Sequence, residues 1–78
     1  NYIRVFTRGE YDIYKSGYKY LSLFAHKNSV VSIDGVKYPL KNKVLLVDDL
    51  IGLSNEILSD SCKLVVSQGT IICIQSND

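Results

Sequence analysis

Residues 29–40 read SVVSIDGVKYPL, in which two runs of apolar and β-branched residues flank the pair Asp34-Gly35. Both central residues of a type I′ turn have a positive φ, which Asp and Gly tolerate better than most residues. Apolar runs on either side of such a pair are typical of two strands joined by a tight turn. The stretch therefore predicts an antiparallel β-hairpin that turns at Asp34-Gly35.

The position of this turn also predicts the register of the hairpin. The expected pairs are Ile33–Val36, Val31–Tyr38 and Val30–Pro39. Because Pro39 has no N–H to donate to a ladder, its strand is expected to lie at a sheet edge or to end there.

Further β-branched and aromatic runs occupy most of the chain on both sides of this hairpin. They predict strands at residues 2–8, 11–15, 18–26, 44–47, 62–66 and 70–74. Ser16-Gly17 separates the second of these from the third as a two-residue turn. Ser67-Gln68-Gly69 separates the last two, so that the chain is expected to end in a hairpin.

One segment, residues 49–59, has the spacing of a helix. Its apolar residues recur at helical intervals, at Leu50, Leu53 and Ile57. Asp48 or Asp49 can cap the first N–H groups, whereas Gly52 opposes a helix by about 1 kcal/mol relative to Ala. The alternative is a turn at Asp48-Asp49 followed by another strand.

These elements predict a mainly β fold of the α+β type. We expect a small antiparallel curled sheet or barrel of five to eight short strands, with one short helix, at about residues 49–59, before the last hairpin. The five-stranded OB barrel also has its helix before its last two strands, so the order of elements resembles that fold.

The chain's length and charge limit its organisation and its partners. Its 78 residues are enough for one domain, and the absence of any Met indicates a piece excised from a larger protein. No apolar run approaches the ~20 residues of a membrane span, so this segment is not expected to insert into a membrane. A net charge of +1 does not favour nucleic acid as a partner, although it leaves this possible.

Few side chains suit catalysis. The chain has one histidine, His26, and contains neither a Gly-x-Ser-x-Gly elbow nor a phosphate-binding glycine motif. No Cys or His pair has the spacing of metal ligands. The sequence therefore predicts a protein that is not an enzyme and that needs no metal or cofactor.

Cys62 and Cys73 would lie on the two arms of the last predicted hairpin. With a four-residue loop they face each other directly, with Cα atoms ~4.5–5.5 Å apart, which is within disulfide range. With a two-residue loop they are diagonal neighbours ~7–8 Å apart. We expect a disulfide and hence an oxidising compartment, the alternative being two buried thiols that pack as small apolar groups.

Tyrosine and lysine residues cluster around the Ser16-Gly17 turn. We expect Tyr14, Lys15, Tyr18 and Lys19 to be exposed and to contact a ligand or partner, because exposed aromatic and basic side chains anchor both. Further along the same strand, Tyr20 and Phe24 are expected to be core residues. His26 titrates near neutral pH when unperturbed, so it is a candidate pH-responsive residue, the alternative being an ordinary surface histidine.

Together these features predict a non-enzymatic recognition or sensory module that binds a protein partner or small ligand. The cysteine pair towards the C-terminus, Cys62 and Cys73, is similar to that of the periplasmic sensor domains of membrane-anchored transcription regulators. This resemblance implies an extracytoplasmic location, periplasmic or secreted. One alternative is an OB-like binder of nucleic acid or oligosaccharide that uses the tyrosine–lysine turn. Another is an assembly domain that pairs with a second subunit, or with its own copy, through a sheet edge.

Overall fold

Six antiparallel strands form one open sheet in the computed structural model, which describes residues 1–49 and 53–77. They are β1 (Tyr2–Phe6), β2 (Gly9–Tyr14), β3 (Tyr20–Asp34), β4 (Leu40–Leu45), β5 (Leu53–Asn55) and β6 (Ser61–Ser76). These described residues contain no helix, and hence none long and apolar enough to cross a membrane. The domain is all-β, which confirms the predicted antiparallel sheet of five to eight strands but not its helix or the α+β type, and two of the strands are long, with 15 and 16 residues.

The two long strands, β3 and β6, lie at the centre of the sheet and fold it into two layers. In layer one, residues 20–25 of β3 and 71–76 of β6 pair with each other, with β5 and β1 at the sides. In layer two, residues 30–34 of β3 and 61–66 of β6 pair together, with β4 and β2 at the sides. Each layer therefore contains half of both long strands.

The apolar core lies between the two layers and draws side chains from both. Alternate residues of each strand point inward, as the period of a half-buried strand requires. The buried apolar residues are Phe6, Ile13, Leu21, Leu23, Val31, Ile33, Val36, Leu45, Ile57, Cys62, Leu64, Val66, Ile71 and Cys73.

The positive φ expected at Gly35 is correct, but the tight turn at Asp34-Gly35 and its predicted pairing are wrong, because Asp34 is still part of β3. β3 ends at Asp34, and Gly35 has a φ of 80°. Instead of returning directly, the chain makes a wider connection, and Ile33 pairs with Leu40. The physical reason is that Val36 is buried and bridges to Ile57, which takes this segment away from β3.

The remaining predicted pairs of that hairpin change with this register. Val31 pairs with Lys43, and Val30 pairs with Val44. Pro39 lies outside the strands in the connection before β4, where no ladder needs its missing N–H.

The turn at Ser16-Gly17 is also correct, although it does not make a hairpin. Ser16 and Gly17 have φ values of 52° and 82°, and the Tyr18 amide donates to the Lys15 carbonyl at 2.9 Å. However, β2 and β3 each pair with β6 rather than with each other. The turn therefore carries the chain from layer two to layer one.

The predicted helix and the last hairpin are both wrong. Residues 50–52 of the helix lie outside the described residues, and residues 53–55 form β5, which pairs with β3. The Asp49 amide donates to the Leu46 carbonyl at 3.0 Å, so a turn is present but is centred on Val47-Asp48, one residue before the Asp48-Asp49 of the alternative, and a further strand follows as that alternative expected. Pairing with β3 outweighs the local helical spacing.

β6 runs without interruption from Ser61 to Ser76, so no hairpin forms at Ser67-Gln68-Gly69. Instead, the pairing of β6 with β3 shifts register between Ala25 and Val31, where the sheet bends between its layers. Gly69 has a φ of 90° at this bend. Gly69 therefore permits a bend within β6 and does not reverse the direction of the chain.

Candidate functional site

The two cysteines do not form a disulfide. Both are free and buried, and both lie on the inner side of β6, where Cys62 pairs with Ile13 and Cys73 with Leu23. Burial raises the pKa of each thiol to about 11. The predicted bond is wrong because both residues belong to one continuous strand, and the inference of an oxidising compartment falls with it.

The predicted contact residues lie around the Ser16-Gly17 turn, and we call Tyr14, Lys15, Tyr18 and Lys19 the turn cluster. Tyr14 is 62% exposed at the end of β2. Tyr18 is half-buried and stacks on Tyr2, with ring centroids 6.4 Å apart. The Lys19 ammonium lies 5.2 Å from the centroid of the Tyr20 ring. The turn cluster is therefore a basic and aromatic surface where the chain crosses from layer two to layer one.

A buried amide supports this turn from within the fold. Gln75, on β6, is 1% exposed, and its Nε2 donates to the carbonyls of Tyr14 at 2.9 Å and Lys15 at 3.4 Å. Its Oε1 accepts a hydrogen bond from Arg4 at 3.2 Å. The Arg4 guanidinium lies 4.7 Å from the centroid of the Tyr2 ring, which continues the aromatic surface. Gln75 thereby fixes the turn cluster to the sheet.

Two further residues singled out in the sequence lie outside the core. Tyr20 and Phe24 are half-buried on the outer side of layer one, and Leu21 and Leu23 of the same strand are the core residues. The prediction of a core role for Tyr20 and Phe24 is wrong because the other set of alternating residues points inward. His26 is exposed where β3 begins to bend, and its pH-responsive role stays a prediction.

A second buried amide, Asn55 on β5, was not found from the sequence. It is 5% exposed. Its Oδ1 accepts hydrogen bonds from the Tyr38 amide at 2.9 Å and the Glu56 amide at 3.0 Å. Its Nδ2 donates to the Tyr38 carbonyl at 2.7 Å. The side chain of Asn55 thus binds both backbone groups of Tyr38, as a neighbouring strand would.

Backbone contacts continue this attachment along the chain. The Lys37 amide donates to the Glu56 carbonyl at 2.9 Å, and the Leu58 amide donates to the Gly35 carbonyl at 3.1 Å. The Lys37 ammonium and the Glu56 carboxylate lie 3.7 Å apart. Residues 35–38 therefore run alongside residues 55–58 as a short additional ladder.

This ladder holds an exposed aromatic residue in a fixed place. Tyr38 is 58% exposed although both of its backbone groups are bound to Asn55. The hydroxyl of Ser54, on the adjacent position of β5, is exposed as well. We call Tyr38, Ser54, Asn55 and Glu56 the β5 edge site.

A sequence signal for this site did exist. Ser54-Asn55-Glu56 is a polar run inside an otherwise apolar segment, and Ser and Asn are poor residues for a helix interior because their side chains compete for backbone groups. The sequence did not identify Tyr38 as the hydrogen-bonding partner of Asn55, because the two residues are 17 positions apart.

The outer faces of the two layers differ in charge. On layer two, Lys63 pairs across the strands with Asp12 and Asp34 and forms an ion pair with Glu10 at 3.7 Å. On layer one, the corresponding described side chains of β1, β3 and β6 are uncharged: Ile3, Val5, Ser22, Phe24, Ile72 and Ile74. Layer two therefore has an ordinary solvated surface, and layer one has an exposed apolar surface.

Layer two also carries a groove of about 590 Å³, lined by residues that include Ser32, Asp34, Leu40, Lys41, Lys63 and Val65. Its charged lining residues are Lys41, Lys63 and Asp34, and Lys63 is also paired with Glu10 at the surface. Among the residues that the structure describes, no group of three or more His, Cys, Asp or Glu side chains could hold a metal ion.

The fold and these sites define a class: an all-β domain with an exposed aromatic residue whose backbone groups are bound by a buried amide. Residues 10–71 match the family described as thiamin pyrophosphokinase, vitamin B1 binding domain. The chain belongs to this family.

Individual relatives agree with the family. The chain is similar to the thiamine pyrophosphokinase of Bacillus subtilis (strain 168), with 32% identity over 81 residues that cover 100% of this chain and 38% of the relative. The crystal structure of thiamine pyrophosphokinase from Bacillus subtilis has a TM-score of 0.86 at 30% identity, covering 97% of this chain and 37% of that one. Thiamin pyrophosphokinase from Geobacillus thermodenitrificans has a TM-score of 0.88 at 28% identity, again covering 97% and 37%. The chain thus spans less than two fifths of these relatives.

The family corrects the functional interpretation of the sequence. The prediction of a non-enzymatic recognition or sensory module of an extracytoplasmic regulator is wrong, and so are its OB-like and sheet-edge alternatives, because the family is the vitamin-binding domain of an enzyme. A small domain that holds a substrate for chemistry done elsewhere needs no catalytic motif of its own. The missing motifs were therefore a poor guide to whether the chain belongs to an enzyme.

Proposed function

We propose that this domain binds thiamine at the β5 edge site, as the vitamin-binding part of a thiamine pyrophosphokinase. The observation that carries the proposal is the attachment of Tyr38 to the buried Asn55 amide. An aromatic side chain that is 58% exposed on so well-fixed a backbone suits contact with a planar ligand.

The chemistry of thiamine matches the side chains at this site. Thiamine has two aromatic rings, and its thiazolium ring carries a positive charge. A tyrosine ring attracts such a cation through its face. The Glu56 carboxylate is paired with Lys37, whose ammonium also lies 5.5 Å from the centroid of the Tyr38 ring, so a cation already occupies the position that the thiazolium would take in its place. Ser54, two residues before Glu56, is exposed and adds a hydrogen-bonding group.

Two other surfaces suit this ligand less well. None of the described residues that line the groove on layer two is aromatic, so it offers no ring to stack on a planar cation. The turn cluster has Lys15 and Lys19 and is flanked by Arg4. We keep Tyr14, Lys15, Tyr18 and Lys19 as a predicted contact for a partner group, and their charge favours an anionic one.

Transfer of a pyrophosphate group to the vitamin would require parts of an enzyme beyond these residues. The chain spans 38% of its relative from Bacillus subtilis, so the domain's part in this proposal is to hold the acceptor. This proposal includes the prediction that residues 1–78 fold as one domain of a larger protein.

Self-association belongs to the same proposal, on a different surface. Ile3 and Val5 are 60% and 61% exposed on the outer face of layer one. Because the described side chains of that face are uncharged, it can meet the same face of a second copy across a twofold axis without placing like charges together. We therefore assign a second copy of the chain to this face.

Titration of the full-length parent protein with thiamine tests the vitamin site. Tyr38→Ala should raise the dissociation constant by a factor of about three to ten, the usual range for the loss of one aromatic contact. Tyr14→Ala is the matched control, since Tyr14 is 62% exposed and Tyr38 is 58% exposed. Equal losses in both variants, no loss in Tyr38→Ala, or no binding by the wild type would contradict the proposal.

A further inference from the structure

Two buried amides occupy equivalent places in layer one. Asn55 on β5 and Gln75 on β6 both pair with Leu21 of β3, one on each side. Each amide binds backbone groups of a segment outside its own strand: Asn55 binds Tyr38, and Gln75 binds Tyr14 and Lys15. Each therefore fixes one of the two candidate contact surfaces.

We infer that Asn55 is a positioning residue for the vitamin site, acting through Tyr38 and not through the ligand. This inference rests on the proposed function. Asn55 is 5% exposed, and its Oδ1 and Nδ2 are both bonded to backbone groups, so its amide is engaged within the protein. Its effect on the ligand passes through the residue that it holds.

Asparagine is the side chain that suits this task. Its amide carries an acceptor and a donor in the arrangement of a peptide group, so it can bind the N–H and the C=O of Tyr38 together. Aspartate would keep the acceptor but place a second oxygen against the Tyr38 carbonyl. Alanine would leave both backbone groups of Tyr38 without these partners, and buried polar groups without partners are costly.

The benefit to binding is preorganisation. β5 has only three residues, and its ladder with β3 ends at Asn55. The amide extends the hydrogen bonding sideways to the connection that carries Tyr38, so the aromatic ring is in place before the ligand arrives. A ligand that meets a fixed residue does not have to order it on binding.

A double-mutant cycle on thiamine binding by the full-length protein tests this role. If Asn55 acts through Tyr38, then Asn55→Ala should weaken thiamine binding by about as much as Tyr38→Ala, roughly threefold to tenfold. Asn55→Ala added to Tyr38→Ala should then weaken binding little further. A residue that supports only the general fold would give losses that add.

Gln75→Ala is the matched control, because Gln75 is also a buried amide bonded to two carbonyls and one side chain. It should lower the midpoint of thermal unfolding as Asn55→Ala does, yet leave thiamine affinity unchanged. The same control tests the turn cluster: loss of thiamine affinity in Gln75→Ala alone would assign the vitamin to that surface and overturn the inference.

Asn55→Asp keeps the inference testable should Asn55→Ala fail to fold. It retains the acceptor for the Tyr38 amide, so we expect a folded protein with a smaller loss of thiamine affinity that also vanishes in the Tyr38→Ala background. Loss of affinity in Tyr38→Ala but none in either Asn55 variant, or additive losses, would overturn the positioning role and leave the proposed function standing. Unchanged affinity in Tyr38→Ala would instead reject the proposed site, and the inference with it.

Discussion

Gly69 is the residue at which β6 passes from layer two to layer one. It has a φ of 90°, in the region that side chains rarely adopt. A Cβ at this position would overlap the hydroxyl oxygen of Ser29 and lie 2.6 Å from the Asn28 carbonyl oxygen. Ser29 cannot easily move away, because its buried hydroxyl accepts a hydrogen bond from the Thr70 amide at 3.0 Å. The bend therefore requires glycine for both conformation and space.

Replacement of Gly69 by alanine should be much more harmful than replacement of Gly17. Gly17 has a similar φ of 82°, but nothing lies within 4 Å of its potential Cβ. We expect Gly17→Ala to lower the free energy of unfolding by about 1 kcal/mol from backbone strain alone, and Gly69→Ala by about 2–4 kcal/mol because a clash is added. Urea unfolding of both variants measures the difference, and equal losses would show that the close approach to Ser29 costs nothing.

At the level of strands, local signals predicted where elements begin and end better than they predicted partners. The turn at Ser16-Gly17 is present and Gly35 has a positive φ, because a positive φ is a property that these residues themselves tolerate. Pairing depends on residues far away in the sequence. β1 pairs with β6 across almost the entire chain, and nothing in Tyr2–Phe6 specifies this.

The candidate site shows the same limit. The turn cluster was found because its aromatic and basic residues are neighbours in sequence. The β5 edge site was missed because it joins residue 38 to residue 55 through a side-chain amide. A sequence pattern could mark Ser54-Asn55-Glu56 as unusual, but only the folded sheet places Tyr38 beside it.

The continuous β6 strand makes a chemical prediction about its two cysteines. Because Cys62 and Cys73 are buried and their pKa values are raised to about 11, the folded protein should contain almost no reactive thiolate at pH 8. Ellman's reagent should therefore react slowly with the native protein and rapidly with two thiols after unfolding in urea without reductant. Fewer than two thiols in the unfolded sample would indicate a disulfide.

These thiols should also make stability fall at high pH. Burial is the largest cause of the rise in both pKa values, from 9.0 to about 11. The unfolded chain loses the two protons near pH 9 while the folded chain keeps them, so stability is lost as pH rises from 9 through 11. The stability advantage of wild type over Cys62→Ala/Cys73→Ala, measured by urea unfolding, should shrink across that range. A stability advantage of the wild type that stays constant across this pH range would contradict the prediction.

The whole molecule is asymmetric in a way that neither layer shows alone. Both layers use the same two long strands and the same inward alternation, yet their outer faces have opposite character. Lys63 and its acidic neighbours keep layer two solvated. The uncharged outer face of layer one costs solubility unless something covers it, which is why we assign it to an interface.

The area of this face limits how strongly the isolated domain can associate with a second copy. The strands β1, β6, β3 and β5 lie ~4.8 Å apart and contribute five, six, six and three residues at ~3.3 Å each, which gives a face of roughly 300 Å². A standard stable interface uses about 800 Å² from each partner. Association through this face should therefore be weak in the isolated domain and measurable in the full-length protein, where other parts can add area.

A charge placed on this face, on its edge strand β1, should break this association. In an isologous interface, Val5→Glu buries one new carboxylate in each half of the contact, so the cost of desolvating two charges opposes it. Val44→Glu is the matched control, since Val44 is 55% exposed on layer two and Val5 is 61% exposed on layer one. Sedimentation velocity of the full-length protein at several concentrations should show a shift to monomer for Val5→Glu alone. A monomeric wild type, or an unchanged distribution in Val5→Glu, would show that a second copy does not cover this face.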